Sequence, residues 1–332
     1  MLGTLRLVLA LAVAISHAGF RVGGLNLGVV AVIGFYLISG YVMAGLVHRH
    51  YGQWAQAPAF YLDRAVRLLP QYLLYAGLTL AWHLYSQATT PFLIRSPSFG
   101  DLLNNLLIVP LNYYMYNGID HYTLIPPAWS LGAEVQFYLL VPFLILWIRR
   151  MLVVGILSLG VYLAALAGLI NSDWFGYRLL PGVLLFFLLG AWMQHQHQQR
   201  QHARALAITV GVAALAALVI GLLYAHGTLR QPYNFETLLG LIFGLVLLHG
   251  LARCQTTRSD AIAGDISYGV FLNHFLIMWT LYPEGVGSSQ LPGFLAASIA
   301  LSWLSQRLVE KPFLKLRYQF RKSPAASPQL MN

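Results

Sequence analysis

Apolar runs of about 17 to 22 residues recur along the whole chain with short polar connections between them, and no other feature constrains the fold as tightly. A run of that length crosses a hydrocarbon core about 30 Å thick as a helix. Inside lipid, only helices and closed barrels leave no backbone polar group unpaired. Ten runs can be placed, roughly 5–20, 27–47, 68–86, 128–147, 151–170, 177–194, 205–225, 235–253, 264–283 and 293–309. The expectation is an all-α polytopic membrane protein. About ten transmembrane helices form one bundle over residues 1–320, and residues 321–332 form a disordered cytoplasmic tail.

Composition supports this reading: 58% of residues are hydrophobic, 9% are charged, and mean hydropathy is +0.65. The net charge of +10 would suit nucleic acid if it were clustered, but it follows the membrane instead. Arg6, Arg49, Arg64, Arg67, Arg149, Arg150, Arg200, Arg204, Arg253, Arg258, Arg307, Lys311, Lys315, Arg317, Arg321 and Lys322 fall on one side. Only Arg21, Arg95, Arg178 and Arg230 fall on the other. Sixteen against four places both termini in the cytoplasm, in agreement with an even number of spans. The single cysteine, Cys254, excludes an intrachain disulfide, and no zinc spacing or glycine-rich phosphate loop is present.

Ionisable residues inside oily helices are costly, so they point to function. Arg6 and His17 are eleven residues apart in the first span, which puts them on one helix face about 16 Å apart. Imidazole takes and returns protons near neutral pH, which makes His17 the candidate reactive centre and Arg6 its partner. Two plainer readings compete: Arg6 as a positive-inside anchor, and Ser16-His17-Ala18 as the cleavage site of a signal peptide. In the fourth span Ser130, Glu134 and Tyr138 recur every four residues as a polar stripe. By span direction, Glu134 and His17 lie at matching depth below the outer surface. A carboxylate orienting an imidazole would make it a competent base.

Arg64 and Arg67 share a face at the cytoplasmic mouth of the third span. Paired guanidinium groups suit phosphate, as they suit anionic headgroups. Ser39 and Gly40 allow close approach of a ligand or of another helix. His274 shares a face with Ser267 and Phe271 near mid-membrane. The longest outer connection, 87–127, contains Tyr113, Tyr114 and Tyr116, candidates for stacking on sugar or for an interfacial belt. The tract His195-Gln196-His197-Gln198-Gln199-Arg200-Gln201-His202 reads as a solvated cytoplasmic turn rather than a metal site.

Taken together, these motifs resemble the acyltransferase-3 family of bacterial membrane proteins. The Arg6-to-His17 spacing is similar to its first-helix arginine, ten residues, histidine signature. Phe35-Tyr36-Leu37-Ile38-Ser39-Gly40-Tyr41 resembles FFxxSGY, and Arg64, Arg67, Leu68 and Pro70 resemble RxxRLxP. Trp129-Ser130-Leu131, Glu134, Gln136-Phe137-Tyr138 and Pro142 resemble WSLxxExQFYLxxP. Ile266-Ser267-Tyr268, Leu272 and His274 are similar to ISYxxYLxH, and Glu310-Lys311-Pro312 to a closing ExP. The chain departs from the pattern at Leu7-Val8, Tyr36 and Asn273, none of which removes an ionisable group.

The resemblance implies an O-acyltransferase of the bacterial inner membrane. It implies a cytoplasmic acyl-CoA donor, usually acetyl-CoA, and a saccharide or glycolipid acceptor hydroxyl on the outer side, with polysaccharide-assembly proteins as partners. No metal and no nucleic acid are implied. Arg64 and Arg67 would hold the CoA phosphates, and the thioester would pass Ser39 and Gly40. His17, oriented by Glu134 or Arg6, would deprotonate the acceptor or carry the acyl group transiently; Arg6 alternatively assists the donor. Tyr41, Trp129, Ser130, Tyr138 and His274 would line the acceptor's path. A proton-coupled transporter or flippase using His17, Glu134 and His274 as a relay is the rival reading, and a structural subunit of an assembly complex is a third.

Overall fold

The protein is described by a computed structural model over residues 1–315; the expected disordered tail lies outside the described residues. Among the described residues there are twelve α-helices: α1 (Leu2–His17), α2 (Leu27–His50), α3 (Ala57–Ser86), α4 (Phe99–Leu107), α5 (Tyr114–Asn117), α6 (Ala128–Leu144), α7 (Ile148–Leu166), α8 (Leu180–Gln198), α9 (His202–Ala225), α10 (Asn234–Leu251), α11 (Arg258–Leu281) and α12 (Leu291–Ser305). Among the described residues there is no strand beyond isolated bridges. All but α4 and α5 have 15 residues or more and match the ten expected runs. Six are long and apolar enough to cross a membrane by length and composition alone. The other four are short (α1, α6, α12) or, in α3, carry charge.

Helix α2 is central and packs against α1, α6, α8 and α10, while α1 lies against α11. Close approach depends on glycine. A β-carbon at Gly40 would stand 1.7 Å from the Phe187 carbonyl oxygen, and one at Gly190 would stand 1.9 Å from that of Leu37. The α2–α8 contact is therefore backbone against backbone. Gly40 thus serves this contact, which corrects the expectation that it faces the donor. The peripheral α9 has only Ala205, Thr209, Ala216 and Leu223 buried, consistent with a lipid-facing position.

Two expectations change in detail. Helix α3 begins at Ala57, eleven residues before the expected span, so Asp63, Arg64 and Arg67 are helical and Pro70 lies within the helix. The charges gave this stretch the look of a connection, but they are satisfied within the bundle. The 87–127 region, expected only as a long outer connection, is a folded cap containing α4 and α5. Asn105 donates to the carbonyls of Asp101 (2.9 Å) and Tyr122 (3.0 Å) and accepts from Leu124 N–H (2.9 Å). Arg95 forks onto Asp101 at 2.6 and 2.9 Å. Burial alone would raise the Asp101 carboxyl, but Arg95 and Ser98 hold it below its ordinary value.

A polar seam that the sequence did not announce joins α3, α11 and α12. Tyr75 and Ser305 share a hydrogen bond at 2.6 Å. Asn273 donates to Ser298 O (3.0 Å) and to Tyr75 OH (3.3 Å).

Candidate active site

Most of the expected site residues gather around two cavities; Gly40, Tyr41 and His274 line neither. The inner one, of about 500 Å³, is lined by Arg6 of α1, Ser39 and Met43 of α2, and Arg64 and Arg67 of α3. Ser130, Glu134 and Tyr138 of α6 and Tyr268 of α11 complete its polar wall, and residues of the α10–α11 connection such as Cys254 and Thr256 line it too. The outer one, of about 150 Å³, is lined by His17, Asn26, Gly28, Pro127, Trp129, Tyr177, Arg178 and Tyr233. Val32, Ser130 and Phe271 line both. The two chambers therefore share a wall made of three side chains.

In the inner cavity Glu134 accepts from Ser39 Oγ at 2.5 Å and from Tyr138 OH at 2.6 Å. The stripe expected on α6 does face one way. Glu134 does not orient His17, however, which corrects that pairing. Depth along two helices says nothing of azimuth. Helix α1 packs on α11, so the neighbour of His17 comes from α11. Arg64 and Arg67 do not stand as a bare pair either: Arg64 is bonded to Asp63 and Arg67 to Glu310. Both carboxylates are wholly buried. Buried charge requires such partners, and removing one partner costs about 3–5 kcal/mol. The two guanidinium groups also lie 6.0 Å from the Tyr138 ring and 5.7 Å from the Tyr268 ring, respectively. No hydrogen bond or ion pair engages Arg6 among the described residues; the nearest offset to its charge is Glu134, across the same chamber. It lines the same chamber as Arg64 and Arg67 and not the one that holds His17.

In the outer cavity His17 closes α1 as its last residue. Its Nδ1 lies 2.9 Å from His274 Nε2, and the ring planes are within 6° of parallel. His274 is wholly buried, and its Nδ1 lies 3.1 Å from the Val270 carbonyl. A carbonyl can only accept, so His274 Nδ1 carries the proton. In the neutral pair His274 Nε2 then accepts from His17 Nδ1–H, and His17 Nε2 is left with its lone pair. The ring is exposed, lining the cavity, and a helix C-terminus favours the charge it would acquire as imidazolium.

The remaining expected residues divide. Trp129 lies in the outer cavity, Ser130 at the shared wall, and Tyr138 in the inner cavity. Tyr41 lines neither; its hydroxyl meets His197 Nδ1 at 3.1 Å, in the second half of α2, away from Asn26. The structure thus withdraws it from the acceptor's path. Tyr113 donates to Gln136 at 2.7 Å, and Tyr114 faces Arg178. Two functional-looking residues escaped sequence reasoning. Arg178 counted only as an outer charge, and Asp63 was hidden by the late start assigned to the third span. A charge adjacent to Arg64 in a helix-compatible pattern was the available signal for Asp63. Among the described residues no three His, Cys, Asp or Glu side chains gather as a metal site.

Comparison with known proteins gives consistent results. The acyltransferase-3 family, described as an acyltransferase domain, matches residues 2–307. An uncharacterised protein of Aquifex aeolicus (strain VF5) is 34% identical over 198 residues, covering 58% of this chain and 90% of that one. Nodulation protein 10 of Rhizobium leguminosarum bv. viciae is 28% identical over 309 residues, covering 85% and 81%. A Staphylococcus aureus (strain COL) protein, provisionally named an O-acetyltransferase, is 24% identical over a 354-residue alignment that covers 94% of this chain. The chain spans 56% of that relative's length. No solved structure matches the chain.

Proposed function

The chain belongs to the acyltransferase-3 family, as a multi-pass membrane acyltransferase, and we propose that it moves an acyl group, acetyl by preference, from cytoplasmic acyl-CoA to a saccharide hydroxyl outside. The bacterial inner membrane is the compartment where such a donor and acceptor meet from opposite faces. The observation that carries this reading is the shared wall: three arginines line one chamber, a histidine with a free lone pair lines the other, and Ser130 borders both.

The donor's anionic part suits the inner chamber, where Arg6 has no carboxylate of its own and Arg64 and Arg67 add donors for phosphate. Glu134, held by Ser39 and Tyr138, keeps the chamber from becoming a bare cationic pit. The thioester end would extend toward Ser130. On the other side His17 Nε2 removes the proton from the acceptor hydroxyl as its oxygen attacks the thioester carbonyl carbon. The new C–O bond forms, the C–S bond breaks, and the leaving thiolate takes the proton back from the imidazolium. The products are ester and free thiol. Backbone carbonyl, His274 and His17 form a chain that fixes the tautomer, the task first assigned to Glu134.

Purified protein in detergent with labelled acetyl-CoA and an acceptor tests the reading without any gradient. His17→Ala is expected to lower turnover by about 10²–10⁴-fold, while Arg6→Ala chiefly raises the donor concentration needed. Full activity of the His17 variant would remove the imidazole from the chemistry.

A further inference from the structure

Acyl transfer as set out above leaves Arg178 without a task. It lies two residues before α8, with its side chain 14% exposed. Its Nε donates to Asp173 at 2.7 Å. The guanidinium carbon stands 4.6 Å from the Trp129 ring, 4.9 Å from Tyr177, 5.4 Å from Tyr114 and 5.8 Å from Tyr233. An arginine serving only topology would reach for headgroups and water; this one is clasped by four rings. With Nε engaged by Asp173, no hydrogen bond uses Nη1 or Nη2 among the described residues. The residue lines the chamber that holds His17.

A guanidinium fixed through Nε and the faces of rings presents its remaining N–H groups as a preset fork for a planar or tetrahedral oxyanion. The surrounding backbone adds to this. Asn26, Pro127 and Tyr233 are the residues that cap the starts of α2, α6 and α10, and all three line the same chamber. Each helix start carries about half a positive charge, and in a site of low dielectric these act in the same direction. Asp173 offsets part of this charge from the Nε side. Glu236, in the first turn of α10, does not line the chamber but accepts from Asn26 N–H at 3.4 Å, so the start of α2 is partly offset and the guanidinium is the main positive group.

Resting on the acyl-transfer reading, we infer that Arg178 recognises an anionic group on the acceptor, beside the hydroxyl that His17 deprotonates. The acceptor class is then an acidic saccharide carrying a carboxylate or a phosphate. Trp129 and Tyr177, which hold the guanidinium, also line the chamber the sugar would enter. Arg178 is a specificity residue; the acyl group never needs to touch it.

The test uses the full chain in detergent with three probes: methyl glucoside, methyl glucuronide and glucose 1-phosphate. Binding is measured by calorimetry without donor, and kcat/KM for acetyl transfer with it. At least one anionic probe should exceed the glucoside about ten- to hundredfold, the range of a charge-assisted pair. The glucuronide and phosphate arms then separate the two anion sources. Arg178→Gln should abolish the preference and Arg178→Lys should keep part of it, with unchanged CoA binding showing that each variant is folded. If Arg178→Gln does not fold, the Lys variant and the wild-type probe ranking decide alone. Equal binding of all three probes by wild type, or an equal loss for all three in the variants, overturns the inference. Anion-selective binding with no acetyl transfer to any probe would instead refute the acyl-transfer reading and leave the anion site standing.

Discussion

At the scale of single residues, the direction of one proton decides whether His17 is a base. The Val270 carbonyl fixes His274, and His274 fixes His17. Replacing His274 by phenylalanine keeps the volume and removes the acceptor, so His17 no longer holds its proton at Nδ1. We expect a turnover loss of about a hundredfold or more with little change in donor KM, as for other catalytic histidines that lose their tautomer-fixing partner. His274→Asn, with a side chain still able to accept, should recover part of the loss. Unaltered turnover in His274→Phe would mean that the pair is only packing. Sequence reasoning found both histidines but married His17 to Glu134, because span direction yields depth and not azimuth. The face shared by Arg6 and His17 was correctly legible. What the spacing could not reveal is that this face runs past two chambers, putting the two residues in different ones.

At the scale of elements, apolar length and the bias of basic residues made the ten helices legible. The misplaced start of α3 has a physical origin. Asp63 and Arg64 read as water-loving, yet each is the other's solvent. In the cap over 87–127 the helical pattern of α4, Leu102, Leu103, Leu106 and Leu107 with Asp101 before them and Asn105 between, was there to be read. The asparagine side chains that tie the cap to distant backbone groups were not, because such contacts leave no local pattern. The close crossing of α2 and α8 was half visible, since Ser39-Gly40 permits it without naming the partner. Gly40→Ala and Gly190→Ala should each lower the melting temperature in detergent. The backbone cannot yield to the added carbon, and overpacking of this kind costs about 1–3 kcal/mol. Gly52, with nothing within 4 Å of a β-carbon, should tolerate alanine without effect. Equal melting of all three variants would show that the helices can part freely.

At the scale of the whole molecule, the bundle holds two chambers that meet at one partition, Val32, Ser130 and Phe271. Trimming Phe271 to alanine removes the largest of these side chains. We expect such a variant, sealed into liposomes with a pH-sensitive dye inside, to dissipate a proton gradient faster than wild type. An unchanged decay would mean that something other than these three residues separates the chambers. The comparison leaves His17 and His274 intact.

That partition has a bearing on cellular energetics. The same thin septum across which two carbons would be handed outward also stands between the interior and an energised membrane potential. On the proposed transfer, enlarging it for a bulkier acyl chain would risk short-circuiting the cell, so insulation, quite apart from chemistry, would set a ceiling on what could be passed across.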